Sequence, residues 1–348
     1  MSVITVRGQI GGEDLGLTLT HEHFLFDPGR RFEDMKIEGE EEKELFRQKV
    51  GIGNLSRLRI NVLAVLDNVI LDDIDAAIEE SLEFRKLGGS TIVDQTSEAA
   101  GRDPGALKYI SEKTGLNIIC STGHYIEGLQ SDYAAEKDKG QLADIMVEEI
   151  TGGIGDSGVR AGSIGEIGSS RKISPNEEKV LRASALAQRQ TGAPVFIHTW
   201  LWGENGKLCL DILEEEGADL EKAVICHADG NINIPYYKEL IARGAFIEFD
   251  LFGQEWGSKD LDTGEWFFLP RDIDRINAIT ELAEHDPRNL GHILISSDVN
   301  LKMNLKRYGG YGYGHIVKNI MPLMVDLGFK QEQVHMLVYD NPKKILDF

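Results

Sequence analysis

Short apolar runs of strand length alternate with stretches of helical period along almost the whole chain. The first is Leu15-Gly-Leu-Thr-Leu-Thr-His-Glu-His-Phe24, in which Leu and Thr alternate before His21-Glu22-His23. Further runs occupy residues 91–96, 117–122, 161–168, 194–199, 223–227, 245–250 and 292–297. Between them lie amphipathic stretches at 72–87, 105–114, 142–150, 174–192, 208–216, 236–243, 273–285 and 313–327. The clearest helix start is Ser174-Pro-Asn-Glu177, with Ser as N-cap, Pro in the first turn and Glu placed to close a capping box. Repeated strand-then-helix units call for a parallel sheet covered on its faces. Eight of them predict an α/β fold of the (β/α)8 TIM-barrel type, one domain over residues 1–348. Residues 27–72 interrupt the alternation. They carry Arg30-Arg31 and the apolar patch Val62-Leu-Ala-Val-Leu66, and read as a long, partly helical insertion after strand one, lying over one end of the fold.

Composition narrows the classes. The chain of 348 residues is 41% hydrophobic and 27% charged, ordinary for a globular protein. No apolar run reaches the length of a membrane span, and the N-terminus lacks the layout of a signal peptide. Three cysteines without a C-x-x-C spacing argue against a disulfide frame or a thiolate zinc site, and for a reducing, cytoplasmic setting. A net charge of −21 is the wrong sign for binding nucleic acid, although it leaves room for a local cationic pocket. No G-x-G-x-x-G follows the first strand, which counts against a dinucleotide-binding sheet.

The chemistry gathers at the strand ends. On a strand, His21 and His23 point to one side, one pleat apart. A lone His-x-His is ordinarily a surface pair, and a lone His after an apolar run is ordinarily a packed one. Here, however, strand five ends in His198, strand six in His227 and strand eight in Asp298, while strand four carries Glu166. In a barrel all of these converge on the C-terminal face. Four imidazoles and two carboxylates exceed the needs of one tetrahedral ion, so two divalent ions are expected. His21, His23 and Asp298 would hold one, His198 and His227 the other, with Glu166 between them. A water bridging two such ions deprotonates near neutral pH and becomes the nucleophile, and Asp298 could take up the proton. Zn is the first expectation, with Mn, Co or Ni as alternatives.

These motifs resemble the phosphotriesterase family of the amidohydrolase superfamily. The resemblance spans most of the chain: Leu-Gly-Leu-Thr-Leu-Thr-His-Glu-His, Arg-Ala-Gly-Ser-Ile-Gly-Glu-Ile-Gly, Ile-His-Thr, Cys-His-Ala-Asp and Ser-Ser-Asp. Tyr308-Gly-Gly-Tyr-Gly-Tyr313 and Asp340-Asn-Pro342 are similar to the phosphotriesterase-related branch. The resemblance implies a binuclear metallohydrolase barrel with ligands at His21, His23, His198, His227 and Asp298. The name-giving enzymes bridge their metals with a carboxylated lysine, and Gly165 stands at that place here. The related branch uses a glutamate, which makes Glu166 the bridge. A one-residue offset on a regular strand turns a side chain to the other face, so a local bulge or twist is required.

Other residues are expected around the centre. Tyr125 would face the cleft and hydrogen-bond a substrate carbonyl, or else pack at a loop base. Lys302, Arg307 and Tyr308, with Arg271 or Arg275, would hold an anionic part of the substrate, or else form a basic loop. Cys226, beside a ligand, should point outward toward the helices. Trp200, Trp202, Trp256 and Trp266 lie in the loops after strands five and seven, where they would wall a pocket or simply pack. The leading expectation is hydrolysis of an ester-like bond in a small molecule, a lactone or a small carboxylic ester, phosphorylated or not, with weak phosphotriester turnover as a side activity. An amidase of a small N-acyl compound and a catalytically silent metal-binding barrel are the alternatives. Relatives of this kind are often dimers, which leaves a homodimer open.

Overall fold

In the computed structural model, which describes residues 2–32, 35–260 and 263–348, the predicted barrel is present. Eight barrel strands run in uninterrupted order: β1 (Leu17–Glu22), β2 (Gly89–Asp94), β3 (Asn117–Thr122), β4 (Ser163–Gly168), β5 (Val195–His198), β6 (Ala223–Ile225), β7 (Phe246–Phe249) and β8 (Ile293–Ile295). Each pairs in parallel with its sequence neighbour. The seam between β8 and β1 closes just beyond β8. Asp298 N donates to the His21 carbonyl (3.1 Å), and the Ser296 hydroxyl joins both the N–H (3.1 Å) and the carbonyl (3.0 Å) of His21.

Alternation along the strands builds two cores. Leu19, Ile92, Ile118, Ile164, Ile197, Ile225, Ile247 and Ile295 belong to the large layer under the helices. Val93, Ile119, Phe196, Val224, Phe246 and Leu294 fill the barrel interior, where Val3, Leu15, Ile345 and Leu346 complete the packing. The floor beneath the strand ends is therefore dry and close-packed, and polar groups concentrate above it.

The helices follow the sequence signals closely. Helix Pro175–Thr191 starts on Ser174, whose capping box with Glu177 is formed, and stops at Gly192 in the left-handed region. The stretch expected as one helix over 313–327 is instead a widened π turn, Ile316–Ile320, running into Met321–Asp326. A second π turn, Met336–Asp340, precedes Asn341–Leu346. Pro322 and Pro342 are the second residues of the helices that follow, and a proline has no N–H for the i→i−4 ladder, so the turn widens there.

The insertion after β1 holds the helices Glu40–Phe46 and Leu55–Ile60 and the 3-10 turns Val62–Ala64 and Leu66–Val69. It is fastened to the segment after β8. Asp67 receives Lys302 Nζ (2.8 Å), Lys49 Nζ (2.7 Å) and the Val50 N–H (3.0 Å), and Asn68 Oδ1 receives the Met303 N–H (3.0 Å). Among the described residues, no helix is long and apolar enough to cross a membrane.

Candidate metal centre

Two backbone irregularities bring the candidate ligands inward. Leu17 and Leu19 of β1 face the helices, so strict alternation would send His21 and His23 outward with them. The pairing of β1 with β2 slips between Leu19 and Glu22, and beyond that slip both imidazoles enter the barrel mouth. Strand β4 does the same. Its register with β5 shifts between Ile164 and Ile167, both of which pack outward, and Glu166 between them turns in. The required local irregularity exists. Gly165 permits it, because a Cβ there would sit 2.8 Å from Phe196 Cβ and 2.9 Å from its carbonyl oxygen.

His227 and Asp298 leave their strands differently, with φ of +57° and +43°. Such left-handed non-glycine residues are uncommon. The turn at His227 means that Cys226 keeps the inward parity of Val224 while His227 also reaches the mouth. Cys226 thus joins the interior core and lies in one cluster with His21, Glu248 and Asp250. The expectation that its thiol points to the outer helices is corrected: it assumed regular alternation through His227.

The six residues form one buried cage. Glu166 Oε1 lies 2.6 Å from His198 Nδ1, 2.7 Å from His227 Nε2 and 3.7 Å from His21 Nε2. Asp298 Oδ1 lies 3.2 Å from His23 Nε2 and 3.8 Å from His21 Nε2. Two atoms facing into the cage, His21 Nε2 and Asp298 Oδ1, are buried and have no hydrogen-bond partner among the described residues. Buried polar atoms are rarely left so. Burial pushes Glu166 upward, yet the imidazoles of His198 and His21 hold it well below the usual carboxylate range. Burial opposes a proton on His227, but Asp250 and Glu166 raise it well above an ordinary histidine. The cage thus draws positive charge, and imidazole with carboxylate is a donor set that suits divalent metals. His21, His23 and Asp298 form one compact ligand group, and His21, Glu166 and His227 another.

Behind the cage, a layer of acceptors fixes the rings. His21 Nδ1 is 3.2 Å from both Glu248 Oε2 and Asp250 Oδ2, His227 Nδ1 is 3.0 Å from Asp250 Oδ1, and His23 Nδ1 is 2.8 Å from Thr96 Oγ1. Asn300 Nδ2 donates to Asp298 Oδ2 (2.9 Å). Sequence reasoning missed Glu248 and Asp250. Their signal was present in Phe246-Ile-Glu-Phe-Asp250, which sets two acids on the face of the strand that carries Phe246.

Tyr125 lies beside the cage, its hydroxyl 3.2 Å from His198 Nδ1 and its ring edge-on to that imidazole. The cationic residues do not. Lys302 is tied to Asp67 and, at 3.2 Å, to Asp72. Arg307 bonds Asp73 and Glu79 at the start of the helix Ile74–Lys86, and Tyr308 packs partly buried against the outer core. Arg271 pairs with Asp274, and Arg275 is buried against Asp229. The anion-holding role expected of Lys302 and Arg307 is therefore corrected: the acidic residues of the insertion and its following helix neutralise them. Trp202 stacks on Phe267 with Trp200 and Trp256 edge-on nearby, forming an aromatic wall, whereas Trp266 is exposed on the hairpin Gly257–Lys259/Trp266–Phe268.

The profile of the phosphotriesterase family matches residues 1–346. The chain belongs to the phosphotriesterase family. A phosphotriesterase-related protein of Nematostella vectensis is 36% identical over 99% of this chain and 98% of its own length. An N-acetyltaurine hydrolase of Danio rerio is 34% identical, with the same coverage. A crystal structure of a resiniferatoxin-binding protein from Rhodobacter sphaeroides superposes with a TM-score of 0.95 at 36% identity, covering 99% of this chain and 95% of that one. The lactonase Lmo2620 from Listeria monocytogenes superposes at 0.80 with 26% identity, covering 100% and 99%. As a phosphotriesterase-family barrel with this cage, the protein is a metal-dependent hydrolase.

Proposed function

We propose that the protein hydrolyses the amide bond of a small N-acyl compound, with two divalent ions in the cage. His21, His23 and Asp298 would hold one, His198 and His227 the other, and Glu166 would lie between them. One observation carries this reading: the cage, with its two unsatisfied atoms, occurs in a chain similar over nearly its whole length to N-acetyltaurine hydrolases. When bound, divalent ions supply Lewis acidity, which acidifies water and polarises the substrate oxygen.

The protein's own groups do the rest. Asp298, with Oδ2 fixed by Asn300 and Oδ1 without a hydrogen bond among the described residues, 3.2 Å from His23 Nε2, accepts the proton of the attacking water and returns it to the leaving nitrogen. Tyr125 donates its hydroxyl to the substrate carbonyl. Burial keeps that hydroxyl protonated, well above the usual tyrosine range. The aromatic wall of Trp200, Trp202 and Phe267 limits water at the mouth.

A lactonase is the second reading, favoured by the likeness to the Listeria lactonase at lower identity. The test is a panel of N-acetyltaurine, N-acetyl amino acids, lactones, phosphorylated lactones and a phosphotriester, run on protein reconstituted with Zn, Mn, Co or Ni. The amide reading expects kcat/KM on an N-acyl amide about tenfold or more above any lactone, a difference of ~1.4 kcal/mol in the barrier. The opposite order makes the protein a lactonase. Stoichiometric metal with no turnover of any member removes both readings.

A further inference from the structure

The arginine and lysine residues nominated from the sequence all meet carboxylates. Arg31 does not. Its side chain is exposed, and among the described residues it forms no ion pair and no side-chain hydrogen bond. In a chain of net charge −21, a guanidinium that meets no carboxylate among the described residues is conspicuous.

The backbone fixes where it stands. Arg31 ends the 3-10 turn Gly29–Arg31, which follows β1 directly. On the upstream side, Phe26 exchanges backbone hydrogen bonds with Leu71 (2.9 and 2.7 Å), and Asp27 N donates to the Ala100 carbonyl (2.7 Å). The Phe26 ring lies 4.6 Å from that of His23 and 6.5 Å from that of Tyr125. On the downstream side, Phe32 packs into the apolar cluster of Leu251, Trp256, Trp202 and Met303. That cluster is built from the segments after β1, β5, β7 and β8, at the C-terminal ends of the strands. Arg31 is thus held between a ring resting on a candidate ligand and a ring seated in the cluster over the barrel mouth.

We propose that Arg31 is the specificity residue of this site, receiving an oxoanion, sulfonate or carboxylate, carried by the substrate a short linker away from the scissile bond. A guanidinium fork matches the paired oxygens of either group, and on a short pinned turn it loses little freedom on binding. The aromatic wall is left to the uncharged part of the ligand. The nature of the scissile bond rests on the amide reading above; the recognition of an anion does not.

The experiment compares the wild type with Arg31→Met, Arg31→Lys and Arg307→Met, all as metal-reconstituted full chains. Substrates are N-acetyltaurine, N-acetyl-β-alanine, the neutral N-ethylacetamide and a neutral lactone, and ethanesulfonate and propionate serve as inhibitors. In Arg31→Met, KM for whichever anionic amide is preferred should rise about tenfold or more, kcat should change little, and constants for neutral substrates should hold. Arg31→Lys should recover part of the loss, and Arg307→Met should match the wild type. The sulfonate and carboxylate arms tell the two anions apart. If the wild type cleaves no amide, the amide reading falls, but Arg31 is still decided by competitive inhibition against the neutral lactone. Inhibition by ethanesulfonate or propionate that weakens tenfold in Arg31→Met supports it. Neither inhibitor binding the wild type, or equal losses on neutral and anionic compounds, overturns it.

Discussion

Asp250 is a single carboxylate that touches both halves of the cage. One oxygen meets His21 Nδ1 and the other meets His227 Nδ1, and it also receives the His227 N–H (3.0 Å). It therefore sets which nitrogen each of these rings turns inward, the kind of outer contact whose removal ordinarily costs 10–100-fold in metal affinity. Asp250→Asn keeps the shape but offers an acceptor at only one end. We expect it to weaken divalent-ion binding by roughly that factor, read by competition with a metallochromic chelator, with the folded signal of circular dichroism unchanged. At this scale the candidate ligands were legible, since His and Asp at the ends of apolar runs are expensive to explain otherwise. Asp250 and Glu248 were not, because carboxylates inside an apolar strand look like interruptions until the imidazoles they serve are known. Cys226 was misread for a related reason. Strand parity holds only while the backbone stays extended, and the left-handed turn at His227 ends it.

The same limit governs the elements. Strand and helix positions followed from periodicity to within a few residues, as with Asn117–Thr122 and the capped helix Pro175–Thr191. What periodicity could not place were the slips in β1 and β4, which reverse facing without changing composition. The fate of the basic loop after β8 was equally hidden, because it depends on the insertion lying against it across the sequence. Asp67 carries that contact. Burial raises its pKa, but Lys302, Lys49 and the Val50 N–H outweigh this and hold it below the usual carboxylate value. A carboxyl lowered in the folded state contributes stability that is complete above the unfolded pKa, about 4, and lost as pH falls through the lower folded value. Asp67→Asn should therefore loosen the insertion at neutral pH by about 2 kcal/mol, with Lys302 left to Asp72 alone. Hydrogen exchange over residues 40–70 should be faster than in the wild type at pH 7, and the two proteins should converge as pH falls through the lowered Asp67 pKa. Equal exchange at pH 7 would show that the apolar cluster alone holds the insertion.

For the whole molecule, the cage gathers residues from five of the eight strands, so ions bound there tie distant parts of the chain together. Ligands that bind only the folded state stabilise it by mass action, about 4 kcal/mol at a thousandfold excess over Kd. Stripping metal with a chelator should lower the melting temperature by roughly 10 °C, and adding back two equivalents of a divalent ion per chain should restore it. An unchanged melting curve, with no ions taken up, would contradict the assignment of the cage.

The junction where the barrel's first and last strands meet is also where His21, His23 and Asp298 face one another. Of the eight strands, the one leading to Asp298 is the last to leave the ribosome, so a newborn chain can latch its ring only after most of it has been made, and ions would complete the latch. Cells starved of divalent ions should then carry chains ajar at this joint and open to proteases, and the abundance of the protein, not only its turnover number, would follow the metal supply.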